Sequence, residues 1–394
     1  MSQHDVVFLS GVRTAIGGFG GSLKTKTPCE LAAAVVEEAV KRSGVEPAAF
    51  GHSVIGNVIH TERRDMYIGR VAAVNGGLPH ETPGLTVNRL CGSGLQAIIT
   101  AAQQIELGQC SAAVAGGAEV MSRSQYWIPS ARFGQRMGDA EIVDAMVGAL
   151  TCPFDDTHMG ITAENVAEKW KISREDQDAL ALLSHQRAEA ATTSGRFKDQ
   201  ILPIELKSRK GSTFFDTDEH TRKGCTLEDM TKLRPAFKRD GSVTAGNASG
   251  LNDAAAAVTL MSSDEAAKRG LKPMARLAGY AFAGVEPKYM GIGPIPAVRK
   301  LLDNAGLSIS DIDVWEVNEA FAAQALAVAR DLDLPADKVN VNGSGVSLGH
   351  PIGATGAIIT VKALYELQRV EGRYAVVTMC IGGGQGIAAL LERI

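Results

Sequence analysis

Two rhythms of apolar residues alternate along this chain. Short runs such as Val6–Gly11, Ala112–Ala115 and Tyr374–Met379 have the composition of buried strands. Longer stretches, Leu95–Leu107 and Gly356–Leu367, carry helical periodicity and are almost wholly apolar, so both are predicted as buried helices. Strands alternating with helices imply an α/β chain with parallel or mixed sheets covered by helices. The grammar also repeats. Helix, Gly turn and strand run from Ala33 to Asn57 and again from Pro296 to Asn318. Strand, turn, helix and strand run from Leu85 to Gly117 and again from Val339 to Gly386. Both helices contain the word AIIT, at Ala97–Thr100 and Ala357–Thr360, and the opening strand Val6–Gly11 matches Ala275–Tyr280. Two duplicated halves are therefore expected, and this alignment sets Cys380 near Gly116 rather than opposite Cys91.

Between the halves, about Ser122–Leu251 is richer in charge, Met and turn residues. A helix is predicted over Thr162–Lys171, and Ser173 is a good N-cap for a long helix to about Ser194. This stretch reads as an insertion with a binding or assembly role. The expected division is residues 1–121 completed by about 252–273, an inserted segment 122–251, and residues 274–394.

The length of 394 residues suits two or three domains. With 40 Lys and Arg against 44 Asp and Glu, the net charge is −4, which gives no global attraction to nucleic acid or to an anionic membrane. An anionic ligand would need a local basic cluster. The six cysteines show no CxxC and no metal-ligand spacing, as free thiols in a reducing compartment would. The opening Met1–Asp5 lacks a basic and apolar leader, the C-terminus carries no address signal, and no apolar run nears the roughly 18 residues that span a bilayer. A cytoplasmic protein is expected.

Four segments carry candidate chemistry. In Asn88–Ala97 (NRLCGSGLQA) a cysteine, Cys91, stands at a strand-to-helix turn, where a helix N-terminus lowers a thiol pKa into roughly the 3.5–7.5 range. A small buried packing cysteine would read similarly. In Asn342–Ala357 (NGSGVSLGHPIGATGA) a lone His350 sits in a Gly-rich loop, as a general base or as a partner of loop carbonyls. In CIGGGQG, Cys380 follows a strand directly, where α/β sheets gather reacting groups. In Glu316–Ala323 (EVNEAFAA), Asn318 is placed to donate to an oxygen or orient a water, and Glu319 either acts there or caps the next helix. Cys, His, Cys and Asn together suit acyl transfer through a thioester, with proton transfer at carbon and an enolate held by amides.

Together with GGAEVMS, HMGITAENVA, TAGNASGLNDAAAA, MGIGP and NEAFAAQ, these segments resemble the thiolase family over the whole chain, most closely the short-chain biosynthetic β-ketothiolases. The resemblance implies a thiolase-like five-layer α/β/α/β/α fold with an inserted loop domain, assembled as a homotetramer. It implies that Cys91 accepts the acyl group, His350 activates it, and Cys380 is the acid/base at the α-carbon. Asn318 would hold a water and complete one oxyanion hole with His350, while the N–H groups of Cys91 and Gly382 form another. CoA thioesters would be substrates, with no permanently bound cofactor. Arg222 and Ser249 fall at CoA-contact positions. Leu150, His158, Met159, Phe237 and Ala245 would line the pantetheine and acyl path, and Met290, Ala320 and Phe321 the acyl pocket. Arg222 also reads as part of a solvated charge run. With Lys223, Lys232, Arg234 and Lys238 it makes the only local basic cluster this reading offers a CoA phosphate.

The implied reaction is the reversible joining of two acyl-CoA molecules to a 3-ketoacyl-CoA and CoA, by ping-pong kinetics. Three other readings compete. One is a 3-ketoacyl-CoA thiolase of fatty-acid degradation, and another a decarboxylating ketoacyl synthase, which needs no second thiol. The third is a non-catalytic acyl-CoA-binding scaffold, whose signature would be loss of Cys91, His350 or Cys380.

Overall fold

In a computed structural model describing residues 5–209 and 211–394, the principal strands join into one mixed sheet system, with two separate two-stranded ribbons in the inserted segment. Residues 1–4 of the opening segment read above lie outside the described residues. In chain order the principal strands are β1 (Val6–Thr14), β2 (His52–Gly56), β3 (Gly84–Val87), β4 (Ala112–Val120), β5 (Asn252–Ser262), β6 (Ala275–Gly284), β7 (Val314–Val317), β8 (Tyr374–Ile381) and β9 (Gln385–Glu392). They lie side by side as β7-β8-β9-β6-β1-β5-β4-β2-β3. The two halves meet at β1 and β6, through Val7↔Arg276 and Phe8↔Ala275.

Helix α1 (Pro28–Ser43) covers the outer face of the first half, α2 (Ser93–Glu106) its inner face. The later helices are α3 (Ala145–Ala149), α4 (Met159–Lys169), α5 (Arg174–Thr193), α6 (Pro294–Ala305), α7 (Ala322–Asp331) and α8 (Thr355–Arg369). Helix α8 lies beside α2 between the sheets, and α6 covers the outer face of the second half, giving five layers. Local sequence explains the borders. Thr27 and Glu30 form a reciprocal cap at the start of α1, and Gly44 ends it at φ +69°.

Strand β4 runs on through Gly116 and Gly117, where the alternation of residues ended the expected strand at Ala115. Both glycines are demanded by packing: a Cβ at Gly116 would lie 2.1 Å from the Ala256 carbonyl oxygen, and one at Gly117 the same distance from that of Gly353. Helix α4 begins three residues before the expected Thr162, because His158 caps it by accepting from Gly160 N–H. Ser173 caps α5 as expected. Cys380 lies within β8 rather than after it.

Strand register corrects the internal alignment. Gly56 pairs with Gly117 in the first half and Val317 with Thr378 in the second, each directly before an Asn. Asn57 therefore corresponds to Asn318, and Cys380 to Glu119, not to Gly116.

The central helices touch backbone to backbone. A Cβ at Gly94 would lie 2.6 Å from the Ala357 nitrogen, and one at Gly356 would lie 2.3 Å from that of Leu95. Gly356→Ala is expected to cost about 3 kcal/mol or more in urea unfolding, by overpacking against rigid backbone. Gly44→Ala, at an open left-handed position, should cost only about 1 kcal/mol.

Candidate functional site

A cavity of about 490 Å³ opens between the strand ends and the inserted segment, in the size range of small-molecule sites. Cys91, His350, Cys380 and Gly382 line it, with Leu150, His158, Met159, Phe237, Ala245, Ser249, Met290, Ala320, Phe321 and Arg222. Cys380 is fully buried, His350 is 5% exposed, Cys91 is half-buried and Arg222 is exposed. The structure thus brings these candidates to one cavity, which Glu319, Lys223, Lys232, Arg234, Lys238 and Asn318 do not line. The Asn318 side chain borders a narrow void behind His350, shared with Ser344, Gly345 and Thr355.

Cys91 sits on a tight turn between β3 and α2. Leu90 before it adopts φ +44°, held by Asn88, whose Oδ1 accepts from Leu90 N–H at 2.9 Å. The N–H groups of Gly92 and Ser93 donate to the carbonyls of Arg89 and Leu90, so they do not serve the sulfur. Only the N–H groups of Cys91 itself and of Gly382 do. Burial outweighs them and pushes the thiol up to about 11. The lowered pKa expected from the helix N-terminus is therefore not found, because the turn consumes the donors that would have produced it. Cys380 is raised by burial and by the neighbouring Cys91.

His350 is fixed from three sides. Its N–H donates to Asn252 Oδ1 at 3.0 Å, and Asn252 Nδ2 reaches the Gly17 carbonyl at 3.0 Å. Gly349 packs against this amide at φ +107°, leaving no space for a Cβ. On the ring, Nδ1 lies 2.7 Å from Thr355 Oγ1, whose hydroxyl donates to the Pro351 carbonyl at 2.9 Å. Thr355 must then accept from Nδ1–H, which leaves Nε2 as a bare lone pair. Burial lowers the imidazole to about 4, so it is neutral at physiological pH. The Asn318 amide nitrogen is 3.4 Å from Nε2, and its Oδ1 is buried with no protein partner among the described residues.

Farther along the cavity, His158 stacks on Phe237 with ring centroids 4.8 Å apart. Its Nδ1 accepts from Gly160 N–H at 3.0 Å, so Nε2 carries the proton and is a donor. Ser249 N–H donates to the Ala320 carbonyl at 3.0 Å, tying the inserted segment to the loop before α7. Arg222 Nη2 donates to the Ala245 carbonyl at 3.0 Å, which holds the guanidinium at the cavity edge. The rest of the basic cluster is exposed. Lys232 pairs with Glu228 at 2.7 Å and Lys238 approaches Glu168 at 3.9 Å, leaving Arg222 as the member that lines the cavity.

Glu319 does not cap α7. It is buried and accepts from Ser184 Oγ at 2.6 Å and Asn340 Nδ2 at 2.9 Å, bracing the loop around Asn318. Thr355 and Asn252 had drawn no notice in the sequence, although the first lies five residues past His350 on the helix that follows. Met121, Met146 and Ile352 form further apolar wall, Met146 within the Met-rich insertion. Glu119, buried in the otherwise apolar β4, was visible as an acid out of place.

Family models for the thiolase N-terminal domain and the thiolase C-terminal domain match residues 6–264 and 271–393. The chain belongs to the thiolase family. It is 65% identical to beta-ketothiolase BktB from Cupriavidus necator, over 99% of this chain and 100% of the relative. The structure of the Bacillus anthracis acetyl-CoA acetyltransferase superposes on this thiolase with a TM-score of 0.97 at 50% identity, covering all of both chains. The human mitochondrial 3-ketoacyl-CoA thiolase in complex with CoA gives 0.96 at 44% identity, covering 100% of this chain and 98% of that one. Among the described residues no helix of this thiolase is long and apolar enough to cross a membrane.

A thiol near 11 beside an imidazole near 4 rests as a neutral pair. Iodoacetamide modification of Cys91 should therefore climb by about tenfold per pH unit across pH 6–9, following the thiolate fraction. A plateau already reached by pH 7 would instead reveal a preformed thiolate–imidazolium pair.

Proposed function

We propose that this thiolase is a β-ketothiolase and acetyl-CoA C-acetyltransferase. It reversibly condenses two acyl-CoA molecules, acetyl-CoA with acetyl-CoA or a short acyl-CoA, into a 3-ketoacyl-CoA and free CoA. The observation that carries the reading is the meeting of the Cys91 and Cys380 thiols with the neutral imidazole of His350 on the wall of a single, largely apolar cavity with an arginine at its edge.

In the first half-reaction Nε2 of His350 takes the proton of Cys91 as the sulfur attacks the thioester carbonyl. The N–H groups of Cys91 and Gly382 already face that sulfur, and their positions suit the oxyanion that forms next to it. CoA leaves with a proton from the imidazole, and the acyl group stays on Cys91. In the second, Cys380 passes its proton to Nε2 of His350 and, as a thiolate, removes the α-proton of another acyl-CoA; the enolate oxygen is met by that Nε2–H and by a water on Asn318. The Oδ1 of Asn318, buried with no protein partner among the described residues, supports that water. The enolate carbon attacks the acyl-cysteine, and the Cys91 thiolate that is released takes its proton from His350.

Residues 122–251 serve in this reading as the loop domain that binds CoA. It lies between a first half, 1–121 with 252–273, and a second, 274–394. Arg222 takes a phosphate of the nucleotide, and His158 donates through Nε2–H to pantetheine. The enzyme works in the cytoplasm as a homotetramer. Tyr126, Trp127, Phe133 and Met137, all exposed within one short stretch of the inserted segment, support the assembly, since exposed large apolar side chains grouped together mark a contact surface.

Acetyl-CoA should leave its acetyl group on Cys91 alone, as read by peptide mass spectrometry. Cys380→Ser should acetylate normally yet lose condensation and methyl-proton exchange by about 10²–10⁴-fold, the contribution of a positioned base. Near-normal exchange would remove Cys380 from the mechanism.

Arg222→Ala should raise KM for CoA more than it lowers kcat, because a distant phosphate contact is equal in ground and transition states. A pantetheine thioester lacking the nucleotide should be indifferent to the change. Equal damage with both substrates would make Arg222 a support of the fold.

A further inference from the structure

Strand register makes Asn57 and Glu119 the first-half counterparts of Asn318 and Cys380. In the second half the pair faces the reaction. In the first half it faces backbone. Glu119 is fully buried, and its Oε1 accepts from Asn57 Nδ2 and Ile59 N–H, both at 3.1 Å. Its Oε2 accepts from Val58 N–H at 3.1 Å and from Gly353 N–H at 2.9 Å. One carboxyl group thus ties the end of β2 to the loop that carries His350, across the boundary between the halves; burial pushes it up to about 8, against the pull of the Ile59, Val58 and Gly353 N–H groups. A Cβ at Gly353 would lie 2.5 Å from Oε2, so that position must stay glycine for the bond to form.

The link continues to the nucleophile. The Val58 carbonyl accepts from Asn88 Nδ2 at 3.4 Å, and Asn88 Oδ1 accepts from the N–H of Leu90, the left-handed residue before Cys91. Glu119 does not line the cavity. We propose that Glu119 is a positioning residue for acyl transfer, fixing the His350 loop against the Cys91 turn. Four N–H donors converge on it, and only a group that accepts at both oxygens satisfies them all. Glutamine would turn an amide NH₂ toward donors and push the two loops apart. A misplacement near 1 Å costs about 10²-fold in rate.

The proposal rests on Cys91 and His350 as read above. The test is Glu119→Gln in the full-length enzyme, following acetylation of Cys91 by acetyl-CoA together with kcat and KM for thiolysis. Acetylation and kcat should both fall by about 10²-fold, with KM for CoA within about twofold and the melting temperature little changed. Asn88→Ala, at the exposed end of the same link, should lower kcat by about tenfold at constant KM, and Asn88→Asp, which keeps the acceptor for Leu90, should restore most of it. Wild-type acetylation in a folded Glu119→Gln would overturn the proposal. So would an unchanged kcat in Asn88→Ala should Glu119→Gln fail to fold, or a parallel loss of kcat, CoA binding and melting temperature. No acetyl label on Cys91 in the wild type would instead overturn the reading beneath it.

Discussion

Everything in this enzyme's centre depends on one contact, the backbone-to-backbone approach of α2 and α8 at Gly94 and Gly356. Two buried helices that close can only be surrounded by small residues and by strands whose side chains also stay small, and β4 and β5 are correspondingly rich in alanine and glycine. The contact sets both helix N-termini against the same space. The turn before α2 carries Cys91 and the loop before α8 carries His350. Without it Cys91 and His350, more than 250 residues apart in sequence, would belong to different sheets and different solvent.

The same burial decides the chemistry. A helix N-terminus can stabilise an anion only with N–H groups left free, and in the Cys91 turn they are spent on Arg89 and Leu90. What is left is a largely apolar chamber in which the His350 imidazole and both thiols rest uncharged. Any charge has to arise during a reaction rather than at rest, and the N–H groups of Gly382 and Cys91 already face the Cys91 sulfur. A resting ion pair would have to give up part of its mutual attraction at each step.

The alternation of strand and helix and the internal duplication were legible because both are periodic, and periodicity survives in a single sequence. Cysteine and histidine among glycines stood out for the same reason: such residues have no packing role in a Gly-rich loop. Two of the misses come from contacts between residues far apart in the chain, and a third from a local hydrogen bond at the start of α8. Gly116 and Gly117 looked like a strand end because nothing local announces the carbonyls of Ala256 and Gly353 pressing on them. Glu319 looked like a cap until Ser184 and Asn340 were seen to hold it. Thr355 became meaningful only once its hydroxyl was found committed to Pro351, which fixes the imidazole tautomer.

The first sheet is discontinuous in the chain: β5 lies between β1 and β4, yet residues 121–251 separate β4 from β5. During synthesis the ribosome delivers β1 to β4 with an open gap between them. At typical elongation rates that gap waits on the order of ten seconds for its missing strand. Two long apolar edges stay available for wrong partners throughout, including the same edges on a neighbouring nascent chain. The second half suffers no such delay, since β6 to β9 follow one another without a comparable insertion. The vulnerable period in the life of this enzyme therefore falls before residue 262 has emerged, and it is the first half, the one bearing Cys91, that is exposed to it.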